Sequence, residues 1–177
     1  TGSTLEQIAR ILASRDLGRR EAVLRLTQSP SLLAPLPNPA PSLEGYLFPG
    51  VYELAPEDKA EALVSRMVGR FKRVAGEIDL ASSAFILREQ GLAPLSPHET
   101  VVLASIIERE AGPDSEKPIV SRVFHNRLLK GMRLQSCATI HYALGEWGIP
   151  ISAIELATDS PYNTYKRAWL PPGAICN

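Results

Sequence analysis

Cysteine is nearly absent: Cys137 and Cys176 are the only two in 177 residues. Two is too few for a disulfide scaffold and the wrong number for a cysteine-built zinc site. Histidine is almost as scarce, and His98, His125 and His141 form neither HExxH nor a paired motif with cysteine. No metal is therefore expected. GxGxxG and GxxxxGKS/T are both missing, so no nucleotide cofactor is expected either. Surplus charge is lacking: Lys+Arg and Asp+Glu both count 19. A chain without a basic excess is not expected to bind nucleic acid or an anionic membrane surface as its main task. The apolar run around Val101 is interrupted by Ser105 after four residues, against the ~20 needed to span a bilayer. Signal-peptide and transit-peptide patterns are absent, as are internal repeats.

What is present is ordinary globular composition, 45% hydrophobic and 21% charged. The length fits one domain, or one with a small appendage. The chain opens on Thr1 rather than Met, so an excised fragment is expected, with any anchor lying upstream.

Thr4-Leu-Glu-Gln7 reads as a capping box, followed by Leu5, Ile8, Ile11 and Leu12 at helical spacing. A short helix is predicted over Arg19 to Leu26. Pro30, Pro35, Pro37, Pro39 and Pro41 then form an extended connector, the best internal boundary. Tyr46-Leu-Phe48 and Val51-Tyr-Glu-Leu54 read as short strands around the Pro49-Gly50 turn. A helix should begin at Pro56 and carry an apolar stripe from Ala60 to Val74. Another is predicted from Ser82 to Gln90. The clearest helix starts at the capping box Ser96-Pro-His-Glu99 and stops at Gly112-Pro113. Its partner covers about Ser115 to Lys130. The rest is polar, aromatic and turn-rich, suited to binding loops.

The 96–111 helix is apolar nearly all round, yet it carries Glu108 and Glu110 near its end. Two residues apart is about 200° on a helix, so the carboxylates face opposite ways and cannot flank one glycosidic bond together. Glu108 sits one turn above the small Ala104 and Ser105. A carboxyl against apolar surface favours its neutral form, which raises its pKa and suits a general acid. The alternative is that both glutamates pair with Arg109, Arg122 or Arg127. In the tail, Gln135 to Thr139 and Ser160 to Tyr165 offer amides, hydroxyls and flat rings without charge, as neutral sugars require. A hydrogen-bonded structural loop fits the same residues.

Five segments carry a resemblance: Leu43-Glu-Gly-Tyr-Leu-Phe-Pro49, Leu103-Ala-Ser-Ile-Ile-Glu-Arg-Glu-Ala111, Val123-Phe-His-Asn-Arg-Leu128 with Gly131-Met-Arg-Leu-Gln-Ser136, Ser160-Pro-Tyr-Asn-Thr-Tyr165, and Leu170-Pro-Pro-Gly173. In order and spacing they are similar to the endolytic murein transglycosylases, the YceG-like family. The resemblance implies an α+β fold, with short strands in a mixed helical catalytic domain over residues 42–177. Residues 1–41 would be the helical remnant of a LysM-like subdomain plus the proline-rich connector. The family continues past the Pro-Pro-Gly segment, so the catalytic domain is expected to extend beyond Asn177. Cleavage of nascent glycan strands between N-acetylmuramic acid and N-acetylglucosamine is implied, leaving 1,6-anhydromuramyl ends. A non-catalytic glycan-binding or scaffold module in a cell-wall synthesis complex is the competing reading.

The resemblance places the catalytic role on Glu108. From their own amides, hydroxyls and rings, Gln135, Ser136, Thr139, Tyr162, Asn163, Thr164 and Tyr165 are the expected glycan contacts, and no cofactor is expected. Peptidoglycan glycan strands and cell-wall synthases are the implied partners. The implied location is the extracytoplasmic face of the bacterial cytoplasmic membrane, reached only through an upstream anchor. Where many members read Asp-Pro, this chain reads Cys137-Ala138. Because the implied compartment permits disulfides, Cys137 and Cys176 are a candidate bridge.

Overall fold

A computed structural model describes residues 1–34, 40–78 and 94–177. Seven α-helices occur among them: α1 (Leu5–Ala13), α2 (Arg20–Thr27), α3 (Ala60–Glu77), α4 (Pro97–Glu110), α5 (Lys117–Leu129), α6 (Cys137–Leu144) and α7 (Ala153–Leu156). The 3-10 turns Pro30–Leu33 and Asp114–Glu116 interrupt the connections. The predicted helix over Ser82 to Gln90 and residues 35–39 of the proline-rich connector lie outside the described residues, and the connector's first part is the 3-10 turn Pro30–Leu33 rather than extended chain.

Local sequence sets several helix starts. Thr4 and Ser96 both form the reciprocal capping boxes expected of them, with Gln7 and Glu99 as third residues. The start of α3 differs from expectation. It begins at Ala60, not Pro56, because Asp58 accepts from the Ala55 amide at 2.9 Å and pairs with Arg66 at 2.8 Å. That side-chain turn competes with the first helical turn.

The α+β expectation is overturned: no strand occurs among the described residues. Tyr46 and Leu47 are buried as a core strand would be, but their neighbours' amides find a different acceptor. Gly45 and Leu47 both donate to the side-chain Oδ1 of Asn177, at 2.8 and 2.9 Å. One amide oxygen thus replaces a strand ladder. Val51 is 92% exposed, while Tyr52 and Leu54 pack against the cluster of α1, α2 and α3 without any strand pairing among the described residues.

Three adjoining apolar clusters make the core. Ala9 and Leu12 of α1, Val23 of α2 and Leu63 of α3 form the first. Leu33, Leu43, Tyr46 and Leu47 meet Val64 and Val68 in the second. Val102, Leu103 and Ile106 of α4 pack on Phe124 and Leu128 of α5 and on Ile175 in the third. Val101 of α4 also packs against the second cluster, so the 43–47 segment ties α3 to α4. Gly45 allows this: at φ +88, an added Cβ would lie 2.5 Å from the Ala174 Cβ and 2.8 Å from Val101 Cγ1. Tyr46 Oη lies 2.7 Å from His98 Nδ1, and His98 Nε2 donates to the Pro172 carbonyl at 2.9 Å. These bonds pin the start of α4 to both the 43–47 segment and the Pro-Pro-Gly segment.

Candidate active site

Glu108 stands on the last turn of α4, with a quarter of its side chain exposed. It faces a cavity of about 300 Å³ walled by Leu47, Phe48, Phe71, Val101, Ala104 and Ser105, with Cys176 and Asn177 along one edge. Helix α4 is one turn per 3.6 residues, which sets Val101, Ala104, Ser105 and Glu108 on one side. Ala104 stays exposed and opens the cavity. Ser105 is buried, because the chain end closes over it: Ile175 donates its amide to Ser105 Oγ at 3.0 Å, and the Cys176 thiol donates to the Ser105 carbonyl at 3.4 Å. Small residues beside Glu108 therefore serve two purposes, a close backbone approach and an open mouth.

The electrostatics differ from the sequence expectation. Burial raises the Glu108 pKa, but hydrogen bonds from Lys117 and Thr1 and the charge of Lys117 outweigh it. The carboxyl is held below its ordinary range. Lys117 Nζ lies 2.6 Å from Glu108 Oε2 and 2.8 Å from Asp114 Oδ1. Of the expected arginine partners, Arg109 and Arg127 are engaged elsewhere. Arg109 donates to the Gly2 carbonyl at 3.0 Å and lies 3.6 Å above the Trp147 ring. Arg127 donates to Leu134 O and Gln135 Oε1.

Glu110 engages another part of the molecule. Its Oε1 accepts from Ser136 Oγ and from the Ala138 amide, the latter at 3.1 Å. A carboxylate there satisfies a free amide in the first turn of α6 and suits the helix dipole. The two glutamates thus part company as their spacing requires.

Of the predicted glycan-contacting residues, Ser136, Thr139 and Thr164 come together beside Glu110, whereas Tyr162 packs on Tyr142 and Asn163 is taken up within its own loop. None of them lines the cavity beside Glu108. Ser136, Thr139 and Thr164 are buried, with Thr164 Oγ1 accepting from the Ser136 amide at 2.9 Å and lying 2.9 Å from Thr139 Oγ1. Asn163 is wholly buried: Nδ2 donates to the carbonyls of Leu156 and Thr158, and Oδ1 accepts from the amides of Tyr165 and Lys166. Its side chain builds the 156–166 loop and has no hydrogen-bonding capacity left for a sugar. Asn163→Ala is therefore expected to lower the unfolding free energy by about 2 kcal/mol, measured by urea denaturation. An unchanged midpoint would show that the loop does not depend on it. Gln135 is exposed, at φ +52. Tyr162 tilts against Tyr142 at 4.8 Å, and Tyr165 Oη lies 3.0 Å from Cys137 Sγ.

The candidate Cys137–Cys176 bridge is not formed. Cys137 is an exposed free thiol beside Tyr165, whereas Cys176 is buried against α4, where burial pushes its thiol up to about 12.

Sequence reasoning missed Lys117 and Glu44. Lys117 reaches Glu108 because the Gly112-Pro113 break folds α5 back along α4. Glu44 is 4% exposed and accepts twice from the Leu5 amide at the start of α1, at 3.0 and 3.1 Å. Tyr142 Oη and Asn177 Nδ2 also donate to it. Burial pushes its carboxyl up to about 7, despite these donors. It sits in the wall of a second cavity of about 520 Å³ between α1, α2 and α6. No group of three potential metal-ligating residues occurs among the described residues.

Comparison with known proteins agrees with the five segments. A model of the YceG-like family matches residues 1–177. An endolytic murein transglycosylase of Bacillus subtilis (strain 168) is 36% identical over 136 residues, covering 76% of this chain and 36% of the relative. One from Streptococcus pneumoniae serotype 2 is 33% identical over 138 residues, covering 75% of this chain and 24% of the relative. The chain thus spans about a third or less of the length of these curated relatives. A crystal structure of a yceG-like protein from Listeria monocytogenes superposes with a TM-score of 0.80 at 35% identity, covering 99% of this chain and 60% of that one. With the family match running the length of the chain, this protein belongs to the YceG-like family.

Proposed function

We propose that the chain carries the catalytic centre of an endolytic lytic transglycosylase. It cuts nascent peptidoglycan glycan strands between N-acetylmuramic acid and N-acetylglucosamine and leaves 1,6-anhydromuramyl ends. One observation carries this reading: Glu108 is the sole carboxylate among the described residues lining its cavity. Hydrolysing glycosidases use two carboxylates, because a water molecule must be activated or a covalent intermediate formed. Ring closure by the substrate's own hydroxyl needs only one.

In this scheme Glu108 donates its proton to the glycosidic oxygen as the bond from muramic acid C1 to that oxygen breaks. The N-acetylglucosamine side leaves as the alcohol. The Glu108 carboxylate then takes the proton of the muramic acid 6-hydroxyl as O6 bonds to C1. The proton count closes without water, and the acid is regenerated. The apolar wall of Phe48, Phe71 and Val101 favours exclusion of competing water.

Such an enzyme works where murein lies, on the extracytoplasmic face of the membrane, alongside the cell-wall synthases. Among the described residues no helix is long and apolar enough to cross a membrane. The test is mass spectrometry of uncrosslinked glycan strands digested by the full-length protein. Anhydromuramyl ends are expected. Reducing muramic acid ends would show hydrolysis, and intact strands would favour a binding module; either result overturns the proposal.

A further inference from the structure

Lys117 is shared between two carboxylates on different elements. Its ammonium lies 2.6 Å from Glu108 Oε2 at the end of α4 and 2.8 Å from Asp114 Oδ1 in the preceding 3-10 turn. Asp114 is 93% exposed, Lys117 a third exposed, and Glu108 less than either. The three groups form a gradient from solvent to cavity, with the one cation in the middle. We propose that Lys117 is the positioning residue for Glu108, and that Asp114 tunes its grip by competing for the same ammonium. The inference rests on Glu108 being the acid and base.

An ammonium on Oε2 fixes the carboxyl rotamer and leaves Oε1 for the substrate. It also disfavours the protonated acid that the first step requires. When a glycan fills the cavity and displaces water, Asp114 offers Lys117 a solvated alternative close by. Releasing Lys117 toward Asp114 leaves burial as the dominant influence on Glu108, and burial favours the neutral acid. When Glu108 becomes a carboxylate on proton donation, the ammonium is at hand to balance it. The other groups near Glu108 are the Thr1 side chain and the Cys176 thiol. Arg109 is turned away to Gly2 O and Trp147, and Glu110 to α6. Lys117 is therefore the one side-chain ammonium paired with Glu108 among the described residues.

The experiment follows the Glu108 carboxyl carbon by NMR in the full-length protein carrying carbon-13 glutamate, with Glu108→Gln for assignment. The pH profile of anhydromuramyl release is measured in parallel. In Lys117→Met the Glu108 titration should move up by about one pH unit, as loss of an adjacent opposite charge requires. The limb of the activity profile that needs protonated Glu108 should move with it. Asp114→Asn should move both the other way by a smaller amount, since it leaves Lys117 to Glu108 alone. Lys117→Arg should restore the wild-type profile. A purely structural role would change amounts of active protein without these opposed shifts. If Glu108→Gln is inactive but Lys117→Met moves neither titration nor profile, the tuning role is overturned and the catalytic reading stands. If the titration moves as expected while Glu108→Gln stays active, the catalytic reading falls and the role falls with it.

Discussion

Glu108→Gln in the full-length protein should lower release of anhydromuramyl products by at least the ~10²–10⁴-fold typical of losing general acid–base catalysis. The upper end is expected, because one group serves both half-steps. Glutamine keeps the shape and the hydrogen bond from Lys117 but can neither give nor take the proton. The cavity supplies no second carboxylate among its described lining residues to substitute. The informative control is Glu110→Gln. Glu110 spends its oxygen on Ser136 and the Ala138 amide. Its loss should appear as about 1 kcal/mol of stability, with the rate per folded molecule largely kept. Initial rates by product mass spectrometry, alongside urea denaturation of each variant, separate the two effects. Near-normal release from Glu108→Gln with abolition in Glu110→Gln would reverse the assignment.

Stability should fall as pH rises from about 4.5 to 7, and Glu44 should account for about 3 kcal/mol of that fall. In the unfolded chain Glu44 releases its proton near the ordinary value of 4.5; in the folded protein burial holds the proton to about 7. Between those values the folded state binds more protons, so raising the pH favours unfolding. Each pKa unit is worth about 1.4 kcal/mol, which gives the stated size. Below 4.5 both states are protonated, and above 7 both are ionised, so the Glu44 contribution is flat outside the window. Glu108, held below its ordinary range, acts in the opposite sense at lower pH. The measurement is therefore a difference: urea unfolding at pH 5 and pH 8 for the wild type and Glu44→Gln. The wild type should lose about 3 kcal/mol more across the interval. Parallel profiles would show that Glu44 is solvated or fully compensated by Leu5, Tyr142 and Asn177.

Features written in neighbouring residues were legible in the sequence. The capping boxes at Thr4 and Ser96 depend on side chains three residues apart, and both form. The divergence of Glu108 and Glu110 follows from helix geometry alone and holds. The strands at 46–48 and 51–54 failed because strand propensity reports burial and shape. Tyr46 and Leu47 are buried, but the acceptor for this segment is the side chain of Asn177, far along the chain. Helix α6 falls in the stretch whose polar, turn-rich composition suggests loops, although Gly145 at φ +72 marks its end, where left-handed backbone favours glycine. Its start at Cys137 has no capping side chain of its own, since Glu110 of α4 supplies the acceptor. The Glu108 carboxyl was expected to be raised because apolar neighbours in sequence were visible and Lys117 was not. The polar loop residues suggest sugar contacts for a related reason. Composition shows that amides and hydroxyls are available, whereas only the fold shows that Asn163 and Thr164 are already used.

The Asn177 amide has a consequence for how the chain assembles. It bonds Gly45, Leu47 and Ser3 across separations of 130 to 174 positions. Its backbone also pairs with Gly2 and Ser3, at 2.6 and 2.9 Å. Closing loops of that size costs entropy before any contact returns it. Helices α4 and α5, joined by a short turn, can dock early; the 43–47 segment cannot acquire its acceptor until the distant Asn177 arrives. The segment carrying Glu44 and Gly45 should accordingly be native only after the folding barrier is crossed. Contacts formed that late govern how long the folded molecule lasts more than how quickly it forms. The cavity beside Glu108, walled in part by Leu47, Cys176 and Asn177, is thus completed by contacts of long sequence separation and should open early when the protein unfolds.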